Sequence, residues 1–75
     1  MDVIFVSIIS DRHEDLEVLA FRDKDKAVAF TRRAFAAVLA HPERMHENEP
    51  ESPFILDLSY ELEADYAVCV QVSLH

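Results

Sequence analysis

The chain of 75 residues contains no glycine. Glycine supplies the positive φ and the close backbone approach on which phosphate loops and dinucleotide-binding turns depend, so both classes are excluded. Turns must instead be made with Asp, Asn, Glu or His. A single cysteine, Cys69, rules out an internal disulfide and suits a reducing compartment. Long apolar runs are lacking as well. The one in MDVIFVSIISDRHED ends after about eight residues, far short of a bilayer span, and Asp2 stands where a leader has basic residues. A cytosolic location, away from membranes, is expected.

Bases become scarce beyond the middle of the chain. Residues 1–40 hold seven acids and six bases, a balance of −1, whereas residues 41–75 hold eight acids and one base, Arg44, a balance of −7. Such a half repels nucleic-acid phosphates and anionic membranes, and it attracts basic protein surfaces. Direct binding to DNA or RNA is therefore not expected.

What is present is a hydrophobic fraction of 51%, enough for the core of one domain spanning residues 1–75. A chain this short buries only roughly 60% of its unfolded surface, which leaves room for a homodimer. VIFVSII (Val3 to Ile9) is apolar at both parities, as in a strand covered on both faces. A polar turn, SDRHED, leads to a second strand, LEVLAF, from Leu16 to Phe21.

Asp23 is a suitable N-cap, and Asp25 suits the positive end of a helix dipole. The helix DKAVAFTRRAFAAVLAH then places Ala27, Thr31, Ala34 and Val38 on one stripe, flanked by Val28, Phe30, Phe35 and Leu39. Pro42 is expected to end it at His41. PERMHENEPES reads as a linker. Beyond it, Phe54, Leu56, Leu58 and Tyr60 alternate with Ile55, Asp57, Ser59 and Glu61, and Tyr66, Val68, Val70, Val72 and Leu74 alternate with Ala67, Cys69, Gln71 and Ser73. This period of two predicts an antiparallel hairpin. The expected class is α+β: β-β-α-β-β, a four-stranded antiparallel sheet with one helix packed on one face. Depending on register, Val3, Phe5 and Ile9, with Leu19 and Phe21, share the other face with Asp57, Ser59, Gln71 and Ser73, as an apolar patch suited to association.

No pattern specifies a reaction, and neither catalysis nor a cofactor is expected. His13 lies among carboxylates in DRHED, but consecutive turn residues diverge and a small domain encloses little. His41 and His46 are separated by Pro42, which breaks the register that would align them on a metal. Cys69, at the parity opposite the valines, is expected to be partly exposed, with its pKa raised by apolar and acidic neighbours. Lys24, Lys26, Arg32 and Arg33 read as a solvated helix face.

The candidate partner-binding residues are therefore the acids Glu43, Glu47, Glu49, Glu51, Asp57, Glu61, Glu63 and Asp65. Carboxylates two apart on a strand lie about 6.6 Å apart. A surface that joins such carboxylates with those of the flanking segments is expected to approach the density of a DNA strand, one phosphate per roughly 3.4 Å. The competing reading is that these acids only keep a small apolar domain dispersed.

The stretches SDRHEDLEVLAFRDKDKAVAFTRRA and FILDLSYELEADYAVCVQV resemble a group of small bacterial and phage proteins. These share a D-R-H-x-D turn, an F-x-D-x-D-x-A helix start and a closing hairpin, where this chain has Ser59 and Tyr60 followed by Glu63 and Asp65 in an acidic turn. That resemblance implies the β-β-α-β-β fold. In size, acidity and compact build the chain is also similar to anti-CRISPR proteins, especially inhibitors of type I surveillance complexes. This second likeness implies a phage or mobile-element inhibitor that blocks DNA binding by covering the basic nucleic-acid-binding surface of a Cascade-type complex. The alternative is a homodimeric interaction module, such as an antitoxin or immunity partner.

Overall fold

The computed structural model describes residues 2–11, 16–61 and 64–74. Their fold is α+β, with one helix lying across a five-stranded antiparallel sheet. The strands are β1 (Val3–Ser10), β2 (Glu17–Phe21), β3 (Met45–Asn48), β4 (Phe54–Tyr60) and β5 (Tyr66–Ser73), and the helix α1 is Lys24–Val38. In space they run β2-β1-β5-β4-β3. The first and last strands thus meet at the centre, in a register from Val3↔Ser73 to Ser10↔Tyr66.

The helix joins the two edges, leaving after β2 and returning to β3 across one face. Its 15 residues span about 22 Å at 1.5 Å per residue, and five strands about 4.8 Å apart cover about 19 Å. Helix length and sheet width therefore match. At the start, the Asp23 side chain accepts a hydrogen bond from the Lys26 backbone N–H at 3.1 Å, and Asp25 lies in the first turn. These are the cap and charge the sequence called for.

Four expectations are corrected. The helix ends at Val38, three residues before His41. Leu39 turns to an extended conformation and buries its side chain, while the His41 N–H donates to the Tyr60 hydroxyl at 3.0 Å. Core burial thus ends the helix before the Pro42 restriction acts.

The supposed linker holds a strand. Pro42–Arg44 is a short 3-10 turn, and Met45–Asn48 pairs with β4 from Met45↔Tyr60 to Asn48↔Asp57. Edge strands tend to be short and charged. Four residues with one apolar side chain, Met45, give little periodicity to read.

The third correction concerns which face the helix covers. Under α1 lie Phe5, Ser7 and Ile9 of β1, Ala67 and Cys69 of β5, and Leu56 and Leu58 of β4. The valines of β5 face the other way. Ser7, Ala67 and Cys69 are small and, like Ala27 on the helix, are buried. Small side chains let helix and sheet approach closely, and Phe35 and Leu58 fill the space beside them. Consequently Val3, Phe5, Ile9 and Phe21, placed by the sequence on the uncovered side, pack with the core. Asp57 and Ser59 lie on the opposite face from Gln71 and Ser73.

Last, Phe54 does not share the face of Leu56. An irregularity between them pairs Phe54 with Val70 and Leu56 with Cys69, a one-residue shift. Such a shift moves a side chain to the other side of the sheet, and Phe54 is 42% exposed. Elsewhere, Phe21 of β2 and Phe30 of α1 pack with ring centroids 5.3 Å apart. No described residue has a positive φ, so the described turns of this glycine-free chain avoid the left-handed region.

Candidate functional site

The acids converge on one side of the molecule because β3 extends the sheet there. Glu43 sits in the 3-10 turn entering β3, Glu47 within the strand, and Glu49 and Glu51 in the loop that follows. Asp57 is on the neighbouring strand β4, and Glu61 follows its end. Six of the eight candidates thus belong to the β3–β4 unit and its flanks, at the edge opposite β2. Glu63 lies outside the described residues.

These carboxylates do not share one face. Glu47 is opposite Leu58 and so is on the helix side. There the Arg32 guanidinium meets it, with Nε 2.9 Å and Nη2 2.7 Å from Glu47 Oε1. Both side chains are about half exposed, so the pair is screened and weak, yet it offsets one charge of the edge. Asp57 is opposite Asn48 on the uncovered side and is half-buried. His46, at the same parity, lies with Nε2 3.4 Å from Glu61 Oε2. His41 Nδ1 is 3.4 Å from Glu43 Oε1. Glu49 and Glu51 are exposed in the loop. Asp65 is buried just before β5, with 5% of its surface exposed.

The result is an acidic edge that wraps around both faces. Sequence counting located the excess but missed what assembles it, because β3 was read as a linker. It also missed Arg32 as a neighbour of Glu47. That contact joins residues fifteen apart and depends on the helix crossing toward β3.

The other candidates fall elsewhere. His13 lies outside the described residues. Cys69 is fully buried instead of partly exposed. Burial pushes its thiol above the ordinary value of 9.0, against smaller opposing effects of the Thr31 hydroxyl and the Val70 backbone. Its sulfur is thus a core atom, and the expected direction of the shift holds with desolvation as the main cause. Among the described residues no three His, Cys, Asp or Glu side chains are grouped so as to hold a metal ion. Also among them, no helix is long and apolar enough to cross a membrane. A groove of about 280 Å³ beside Pro53, Phe54 and Gln71 and one of about 240 Å³ beside Asp2, Arg22 and Leu74 each lack a paired nucleophile and base.

Comparison with protein-family models, with curated proteins and with solved structures gives no match.

Proposed function

We propose that the chain is a small acidic binding protein that occupies a basic, nucleic-acid-binding surface of another protein through its β3–β4 edge. The observation that carries this reading is the gathering of Glu43, Glu47, Glu49, Glu51, Asp57 and Glu61 on one edge unit. The carboxylates of that edge take the place of nucleic-acid phosphates at lysines and arginines of the partner. Long-range attraction speeds such an encounter, and salt suppresses it, since screening acts over about 8 Å at physiological ionic strength. The partner implied by the likeness noted in the sequence, a type I CRISPR surveillance complex, is the first to test. The proposed protein then acts as a phage or mobile-element inhibitor inside the bacterial cell.

The experiment is binding of the purified chain to a purified Cascade-type complex at low and at high salt. Binding that weakens with salt, and weakens again in a Glu49→Gln, Glu51→Gln, Asp57→Asn, Glu61→Gln variant, supports the reading. No binding at low salt, or binding indifferent to the four substitutions, overturns it.

A second reading is favoured by the Arg32–Glu47 pair and by the burial of Asp65, which withdraw two acids from an outward surface. In it the chain is an interaction module, an antitoxin or immunity partner, and its acids serve dispersal. The four-site variant then loses solubility but keeps its partner.

A further inference from the structure

We infer that the uncovered face of the sheet is the interface of a homodimer in which two copies pack sheet against sheet. The helix covers one face only. On the other, Ile4, Val6 and Ile8 of β1 stand opposite Val72, Val70 and Val68 of β5, three apolar cross-strand pairs at the centre of the sheet. Val18 and Ala20 of β2 continue the surface, being opposite Ile8 and Val6. Phe54 of β4 extends it from its place opposite Val70. Within the strand residues of β2, β1 and β5, this face carries no charged side chain.

Its area suits a second copy. Val18, Phe54, Tyr66, Val72 and Leu74 are each between 37% and 54% exposed. At those fractions they leave on the order of 400 Å² of apolar surface, already within the 300–600 Å² of the largest patch on a typical monomer. The half-buried Ile4, Val6, Ile8, Val68 and Val70 enlarge the face further. A specific interface uses about 600–1,000 Å² per partner. Across β2, β1 and β5 the surface is uncharged and offers nothing for a charged partner to pair with, and a two-fold axis sets it against its own copy.

Charge then selects the orientation. A two-fold axis across the strands would stack β3 on β3 and bring both acidic edges together. An axis along the strands, at the seam of β1 and β5, sets β1 over the partner's β5 and β2 over the partner's β4. The apolar face is centred on that seam. In this arrangement β3 of each copy extends beyond the partner's sheet, so the acidic edges emerge at opposite ends of a two-layer sandwich. Aligned sheets packed about 10 Å apart have this form. Asp57, half-buried on this face of β4, then lies under the partner's β2, and the acids of β3 and its flanks stay free for another partner.

Sedimentation or light scattering of the intact chain at tens of micromolar is the test. A mass twice the 8.6 kDa of the chain is expected, and a monomer under those conditions overturns the inference. Val70→Lys, at the centre, and Val18→Lys, at an exposed position that folding tolerates, should each give a monomer with unchanged circular dichroism. If Val70→Lys does not fold, Val18→Lys decides alone. Persistence of the dimer in the folded charged variants is contrary. So is its loss in Leu19→Lys, a variant on the helix side of β2, with Val18→Lys still dimeric, because that pattern means pairing of β2 edges.

Discussion

Thr31 of the helix and Ser7 of β1 meet with their hydroxyl oxygens 2.7 Å apart, both fully buried. Thr31 also donates to the Ala27 carbonyl at 2.7 Å. A hydroxyl has one hydrogen, so Thr31 donates to Ser7 or, when its proton goes to Ala27, accepts from it, and in both cases Thr31 is the partner of the Ser7 hydroxyl. This polar pair, set among small residues, fixes the height and the register of the helix on the sheet.

Replacing Thr31 by valine keeps the volume but strands the Ser7 hydroxyl in the core. The expected loss is about 1–3 kcal/mol, the cost of a buried hydroxyl left without its partner. For a domain of this size each kcal/mol lowers Tm by about 4–8 °C. Adding Ser7→Ala should restore part of the loss, because the orphaned group is gone. A double-mutant cycle by thermal unfolding checks this, and equal loss in the single and double variants would contradict the pairing.

Asp23→Ala should cost about 1 kcal/mol through loss of the bond from the Lys26 N–H. Asp23→Asn retains an acceptor and should cost less. Urea midpoints of the three proteins give the comparison.

Cys69 ties stability to alkaline pH. Its thiol is raised in the fold above 9.0, chiefly by burial, so the unfolded chain ionises first. The stabilisation from keeping the thiol neutral is complete below the unfolded value and is lost as pH climbs from there through the raised folded value. Urea unfolding at pH 8 to 10.5 should show a steeper alkaline decline for the wild type than for Cys69→Ala. The native thiol should also resist an aromatic disulfide reagent that reacts promptly in denaturant.

Arg32→Ala separates stability from binding. The ion pair with Glu47 joins half-exposed side chains and contributes only about 0.2–1 kcal/mol. Thermal stability should therefore change little. Under the proposed function, the freed Glu47 carboxylate should tighten binding to a basic partner and steepen its salt dependence. Weaker binding in this variant would mean that the guanidinium itself contacts the partner.

Some of this was legible residue by residue. Asp23, Asp25 and the apolar spacing from Ala27 to Phe35 announce the helix, because caps and a 3.6-residue period act locally. Leu56, Leu58 and Tyr60 announce β4 through a period of two. Met45–Asn48 does not announce itself. Its stability comes from a ladder to Leu58 and Tyr60, and four mostly polar residues cannot display a partner more than ten positions away.

The inward face of β5 was equally hidden. Hydrophobicity favours the valines, yet Ala67 and Cys69 go under the helix because closest approach rewards small size over apolar area. The shift at Phe54 adds a parity change that alternation alone cannot reveal.

By itself the sequence determined the helix and four of the five strands, the acidic imbalance of residues 41–75 and the absence of glycine-dependent loops. Each of these follows from composition or from periodicity within one segment. The tertiary structure alone decided that β3 closes one edge, that the valines are left uncovered, that Arg32 meets Glu47, and that Asp65 leaves the surface. Those outcomes depend on contacts between distant segments, where packing volume and strand register outweigh local preference.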